Sequence, residues 1–327
     1  MRTIVVSRFG GPEVLTLVER ARPEPSRNEV RVRVRAAGVN RADIVQRLGR
    51  YPAPSDAPSD VLGLEFAGEV EAAGPGATAW NVGDRVFGLV GGGAYAEALV
   101  THERLLAAIP AGMSFTDAAA TPEAFITAYD AMMVQGKLAL GENVLIHAAG
   151  SGVGTAAIQL ARLSGARSIG TARDPSKLER ARALGLDHGI TVTGGSFASE
   201  VMRLTGGRGA NVVLELVGGD YLREDLGCIA YEGRILLVGL MAGASTALDL
   251  GTVLRQRVLL RGTVLRSRPI EQRLDAMQGF SRHIVPLLAG GALRPIVDRV
   301  LPLAEAAAAH ACIEQNQSFG KVILDCG

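Results

Sequence analysis

The residues best suited to chemistry by type and spacing lie in Asn143 to Arg162, NVLIHAAGSGVGTAAIQLAR. Gly150-Ser151-Gly152-Val153-Gly154 forms a glycine-rich loop directly ahead of a segment in which Val153, Ala157, Leu160 and Ala161 recur at helical spacing. Small residues let a backbone approach a pyrophosphate. The first N–H groups of the helix, at its positive dipole end, bind the anion without a basic side chain. His147, Gly150, Ser151, Gly152, Val153 and Gly154 are therefore the candidate cofactor contacts of this stretch. The glycine spacing is tighter than the full dinucleotide fingerprint, so taken alone it equally suits helix-to-sheet packing without a ligand.

A second group bears on which cofactor such a loop would hold. In an NAD site an acidic residue about 20 positions beyond the loop accepts hydrogen bonds from the ribose hydroxyls. Here the corresponding segment reads Gly170-Thr171-Ala172-Arg173-Asp174-Pro175-Ser176-Lys177. Asp174 followed by proline is placed as a helix N-cap with proline at the first helical position, which turns its carboxylate towards backbone N–H groups. Arg173 and Lys177 put two positive charges where a 2′-phosphate would sit, favouring NADPH over NADH; two merely solvated cations are the alternative.

The elements that must position these residues follow from periodicity. Val144-Leu145-Ile146 reads as a buried strand, and strand candidates recur at 168–171, 189–192, 212–216, 235–238 and 258–265, with helices between most of them, as at 175–184 and 196–204. Six strands with crossover helices describe an α/β fold, a doubly wound parallel Rossmann sheet. Its last, apolar strand at 258–265 would form an edge open to pairing with a second copy, so a homodimer is expected.

Before this region, Glu29 to Arg35 alternates Val30, Val32 and Val34 with Arg31, Arg33 and Arg35, a half-buried antiparallel strand with a solvated arginine face. Asn40 caps a short helix with Ile44 and Leu48 on one side, a Pro/Ser/Asp loop runs to Asp60, and glycine-interrupted strands follow. Ser114 with Asp117 opens a helix, and another runs from Glu123 to Met133. After Arg266 come a helix at 270–288, a strand at 296–300, a helix at 304–316 and a closing strand at 321–324, expected to fold back onto the first domain. The expected division is a mostly β domain of residues 1–122 plus 266–327, and a dinucleotide domain of residues 123–265.

Composition narrows the function. The 327 residues carry 34 basic and 33 acidic side chains without a basic run, which argues against nucleic acid as partner. Glycine clusters and polar residues in the uncharged stretch 143–161 argue against a membrane span. The three cysteines, Cys228, Cys312 and Cys326, have no paired spacing, as expected of a reducing cytoplasm.

GGPEVL at 10–15, NRAD at 40–43, QRLGRY at 46–51, LGLEFAG at 62–68, PEAFITAY at 122–129, LIHAAGSGVGTAAIQLAR at 145–162 and GLMAG at 239–243 together resemble the zinc-free quinone oxidoreductases of the medium-chain dehydrogenase/reductase superfamily. The resemblance implies a GroES-like first domain and hydride transfer from NADPH to a quinone, or to an enone or enal double bond. A crystallin-like NADPH-binding protein without turnover is a third reading. Zinc alcohol dehydrogenases of the superfamily have cysteine where this chain has Asn40 and histidine where it has Leu64, so no metal is expected. The resemblance further implies that Asn40 and Tyr51 line the nicotinamide and substrate cleft as catalytic residues. Thr127, Gly239, Leu240, Met241, Phe319 and Lys321 are then cofactor contacts. One family member has a 2′-phosphate-binding tyrosine at the position of Val192, so phosphate recognition would have moved to Arg173.

Overall fold

A computed structural model describes residues 1–327, which divide into two compact units, Met1–Ile126 with Leu265–Gly327, and Thr127–Val264. In the first unit β1 (Arg2–Val6) pairs with β2 (Leu15–Glu19). β3 (Glu29–Val39) leads into helix α1 (Arg41–Arg47), and β4 (Glu65–Ala73), β5 (Arg85–Leu89), β6 (Ala98–His102) and β7 (Leu106–Ala108) follow, then helices α2 (Phe115–Ala119) and α3 (Pro122–Tyr129).

The second unit contains β8 (Asn143–Ile146), α4 (Gly152–Leu163), β9 (Arg167–Ala172), α5 (Pro175–Arg182), β10 (His188–Thr191) and α6 (Ala198–Leu204). It continues through β11 (Ala210–Glu215), α7 (Tyr221–Cys228), β12 (Ile229–Leu237), α8 (Leu250–Gln256) and β13 (Leu259–Gly262). The chain then returns to the first unit as α9 (Ile270–His283), α10 (Val285–Ala289), β14 (Val297–Pro302), α11 (Ala306–Glu314) and β15 (Lys321–Asp325).

The six strands of the second unit are all parallel, in the order β10-β9-β8-β11-β12-β13. Numbered within the unit this is 3-2-1-4-5-6, the doubly wound arrangement, and the crossover after its first strand carries the glycine loop. Leu145, Ile169, Val213 and Ile235 from neighbouring strands pack with Phe197 and Val201 in one core.

In the first unit β14-β15-β3-β4-β5-β7 form one sheet, with β6 also paired to β3. Val30, Val32 and Val34 are fully buried, as their alternation requires. The arginines between them are not simply solvated: Arg31 and Arg33 pair with Glu71, and Arg35 with Glu69, on the adjacent strand. The closing strand does return to this sheet, antiparallel to β3 and parallel to β14.

Of the pair on one side of α1, Ile44 is buried and Leu48, at the helix C-cap, is 37% exposed. Two local expectations are corrected. The helix expected over 270–288 breaks at Ile284, because Pro286 cannot continue the hydrogen-bond ladder of α9 and instead sits in the first turn of α10. The helix expected from Glu123 to Met133 becomes a π-helix over Asp130–Gln135, where the Gln135 side chain bonds Asp130 and Thr263.

β3 and β4 slip register between Val34 and Ala36, opposite Gly68. A Cβ at Gly68 would lie 2.0 Å from the Arg33 carbonyl oxygen, a backbone atom that cannot swing aside. Gly68→Ala is therefore expected to destabilise the first unit by about 2 kcal/mol or more, measured as a lower denaturation midpoint. A midpoint equal to that of the wild type would contradict this account of the bulge.

Candidate active site

In the second unit the glycine loop is built by backbone contacts. Ala148 takes a left-handed conformation, and its carbonyl accepts from the Ser151 N–H at 2.8 Å. Ser151 then caps α4, its Oγ accepting from the Gly154 N–H at 3.0 Å. A Cβ on Gly154 would fall 2.5 Å from the Ala148 oxygen, so only glycine lets the helix approach the loop this closely. With Gly154 satisfied by Ser151, the Gly152 and Val153 N–H groups are the open donors at the positive end of α4. Asp174 caps α5 as its sequence suggests, accepting from the Ser176 N–H at 2.9 Å, and the neighbouring Arg173 is exposed. Tyr221, which sequence reasoning did not single out, is half-buried and feels the Arg173 charge.

The His147 side chain departs from expectation. It is completely buried, with Nε2 2.8 Å from Asp225 Oδ1 and Nδ1 2.8 Å from Thr171 Oγ1, so neither ring nitrogen is offered to a ligand. Burial lowers its pKa and keeps the ring neutral. A neutral ring that donates from one nitrogen and accepts at the other satisfies both contacts. Glu215, also buried, takes the N–H groups of Val217 and Gly218 on Oε1 and so shapes the turn after β11. Its Oε2 and Asp225 Oδ2 are buried without a hydrogen-bond partner. Burial and mutual repulsion push Glu215 up to about 8, and burial pushes Asp225 to about 7, so the pair does not fully ionise at neutral pH.

The first unit brings Asn40 and Lys321 together. The Lys321 ammonium, from the start of β15, lies 2.6 Å from Glu65 Oε1 and donates to Asn40 Oδ1 at 2.5 Å and to the Val39 carbonyl at 3.0 Å. Asn40 Nδ2 donates to the same Glu65 oxygen at 2.9 Å, and Glu65 Oε2 accepts from the Glu123 N–H at 2.8 Å. Lys321 thus spends its three protons inside this unit. Gly320, at φ +89° with the Ile296 carbonyl where a Cβ would be, makes the turn that aims it there, and Phe319 beside it is buried.

Asp43 reaches back to the Asn40 N–H at 2.8 Å and begins a buried chain. Its carboxylate accepts from Tyr95 at 3.0 Å, and the Tyr95 oxygen meets His310 Nε2 at 3.1 Å. Nδ1 of His310 faces Arg47, which in turn pairs with Glu314. Burial, with Arg47 adjacent, pushes His310 down to about 3, so its neutral ring passes one donor direction towards Asp43. Tyr51 lies apart from Asn40's hydrogen bonds, with its ring over Arg266 at 5.0 Å. Arg266 is buried and committed to Gly91 O at 2.6 Å and Gln46 Oε1 at 2.7 Å. Burial raises the Tyr51 pKa, so its hydroxyl remains a donor.

Comparison with known proteins identifies the family. Residues 26–111 match the alcohol dehydrogenase GroES-like domain and residues 152–279 the zinc-binding dehydrogenase family. A quinone oxidoreductase of Pseudomonas aeruginosa is 36% identical over 99% of both chains. The chain belongs to the quinone oxidoreductase family of the medium-chain dehydrogenase/reductase superfamily. Escherichia coli quinone oxidoreductase, solved complexed with NADPH, is 30% identical with TM-score 0.91, covering 99% of this chain and all of that one. An enoyl reductase, CurK, is equally 30% identical with TM-score 0.88, covering 99% of this chain and 98% of that one.

The remaining sequence-derived positions are distributed as follows. Thr127 is buried within α3. Gly239 follows β12, where a Cβ would meet the Leu216 oxygen at 2.3 Å. Leu240 and Met241 are 52% and 47% exposed beside it. Lys177 lies in the first turn of α5. Glu65, Glu123 and Arg266 were missed; a glutamate inside the apolar run LGLEFAG was the one available signal.

Glu215 and Asp225 hold protons in the folded state that the unfolded chain loses from the ordinary carboxyl range upward. Their contribution to stability is therefore full at low pH and declines towards about pH 8, by at most about 1.4 kcal/mol per pH unit per proton. In Glu215→Gln the amide keeps an acceptor for Val217 and Gly218 and a donor for Asp225 without titrating. The melting temperature of the variant minus that of the wild type should rise between about pH 5 and about pH 8; a constant difference would rule out a proton retained on Glu215.

Proposed function

We propose that this chain is an NADPH-dependent reductase that delivers hydride to a quinone or similarly conjugated carbonyl without zinc, and that it works in the cytoplasm as a homodimer. NADPH supplies the hydride when bound. The Gly152 and Val153 N–H groups bind its pyrophosphate, and Arg173 with Lys177 takes the 2′-phosphate; likeness to the NADPH-complexed Escherichia coli enzyme supports this. Tyr51 donates a hydrogen bond to the acceptor oxygen as negative charge grows there.

One observation carries the choice of acceptor: the Lys321 ammonium already sits on Glu65 and Asn40. The superfamily's zinc position does not fit a zinc ion here, because its donors are an amide and a carboxylate bound by that ammonium, next to the apolar, buried Leu64. A chain with no Lewis acid suits an acceptor that is electrophilic beforehand, whose reduced anion is delocalised. The dimer reading rests on β13, an unpaired edge on which Leu259 and Leu260 are 47% and 42% exposed, and on Leu250 and Leu254 of α8, 68% and 78% exposed.

Parallel oxidation of NADPH and NADH with 1,4-benzoquinone, 9,10-phenanthrenequinone and methyl vinyl ketone tests the reading. Turnover of NADPH with the quinones is expected. Preference for the enone would transfer the chain to double-bond reduction, which the likeness to CurK favours. NADPH binding without turnover of any acceptor would reject both. Arg173→Ala should weaken NADPH by about tenfold or more, as for loss of a charged hydrogen bond, and leave NADH nearly unchanged in fluorescence titrations. Equal weakening of the two cofactors would remove Arg173 from phosphate recognition.

A further inference from the structure

Glu123 stands at the start of α3 with its backbone N–H fixed on Glu65 at 2.8 Å. Its carboxyl group is only partly exposed and has no hydrogen-bond or ion-pair partner in the chain. The charged and titratable groups around it come from four other places in the first unit: Asp43 of α1, Glu65 of β4, Lys321 of β15, and Arg266 with Tyr51. The two cations are spoken for. Lys321 is spent on Glu65, Asn40 and Val39, and Arg266 on Gly91 and Gln46. Glu123 is thus an acid with no direct partner, anchored through its backbone to a second carboxylate and within electrostatic reach of the Tyr51 phenol, with Lys321 and Arg266 acting on it only through space.

We infer that Glu123 is the proton donor of the reaction, giving its carboxyl proton to the oxygen of the reduced acceptor bound at Tyr51. The inference rests on the reductase reading above. An acceptor that has taken up hydride carries both electrons and a negative oxygen. The O–H bond of Glu123 breaks as the O–H bond of the hydroquinone or enol forms, and water returns a proton to the carboxylate. No further oxidant or reductant is needed. Tyr51 orients the acceptor oxygen, while the proton from Glu123 removes the anion that could return hydride to the cofactor. Burial and the Glu65 charge push the Glu123 pKa up to about 7, so a large fraction is protonated at neutral pH.

The test compares wild type, Glu123→Gln and Glu123→Asp. Each retains the backbone N–H that holds Glu65, and NADPH affinity and melting temperature serve as controls for folding. Wild-type kcat with 1,4-benzoquinone should fall as pH rises through about 7. Glu123→Gln should lower kcat by about a hundredfold and abolish that fall, with KM for NADPH unchanged; Glu123→Asp should restore the pH dependence. A Glu123→Gln enzyme with wild-type rate and profile would overturn the assignment.

A second readout needs no turnover. 2,4-Dinitrophenolate, anionic throughout this range, imitates the reduced acceptor. Its affinity should drop about tenfold across neutrality in the wild type as Glu123 ionises, and be flat in Glu123→Gln. Should the wild type reduce none of the acceptors, the reductase reading fails, and this titration alone decides Glu123: equal pH slopes in the two proteins would reject it.

Discussion

A buried carboxylate with two cationic or amide donors on one oxygen and a backbone N–H on the other organises the first unit. Glu65 binds Lys321 and Asn40 through Oε1 and the start of α3 through Oε2. Four segments meet there: the end of β3, the first residues of β4 and β15, and the first turn of α3. A buried ion pair is not in itself a large source of stability, since desolvation offsets most of the attraction. Its force is directional. Removing either partner leaves an uncompensated charge worth about 3–5 kcal/mol, so the C-terminal strand has one workable position beside β3.

That constraint has chemical consequences. Lys321 is bonded to Glu65 and reaches Glu123 only through space, so its field and that of Arg266 offset only part of the burial and carboxylate repulsion that hold a proton on Glu123. Because Arg266 is engaged by backbone and amide oxygens, it supports the Tyr51 ring without removing the phenol's proton. The second unit solves a different problem with less charge. Its glycine loop presents backbone N–H groups, and its buried acids, Glu215 and Asp225, are made tolerable by retained protons while Glu215 shapes the turn after β11. Both units keep carboxyl groups in apolar surroundings and use protons or one lysine to balance them.

The legible parts were those encoded by neighbours in sequence. Alternation at Val30, Val32 and Val34 announced a strand with one buried face, and the order of six short apolar runs with intervening helices announced the parallel sheet. Ser114 and Asp174 were recognisable as caps because a cap bonds N–H groups two or three residues away. His147 was misjudged for the complementary reason. Its place beside the glycine loop suggested a ligand contact, but its ring turns away to Asp225, 78 residues on, and Thr171, 24 residues on. The arginine row likewise looked solvated until β4 supplied Glu69 and Glu71.

By itself the sequence determined the class of each unit, the glycine loop with its helix, and the two cations beyond the second strand, since these depend on period, turn chemistry and local capping. Only the tertiary structure decided what the isolated acids and bases do. Lys321 and Asn40 are 281 residues apart, and Arg266 and Gln46 are 220 apart, yet each pair is within hydrogen-bond distance. No local pattern carries such a pairing. The first exists because β15 closes onto β3, and with Arg266 it sets the surroundings in which Glu123 and Tyr51 keep their protons.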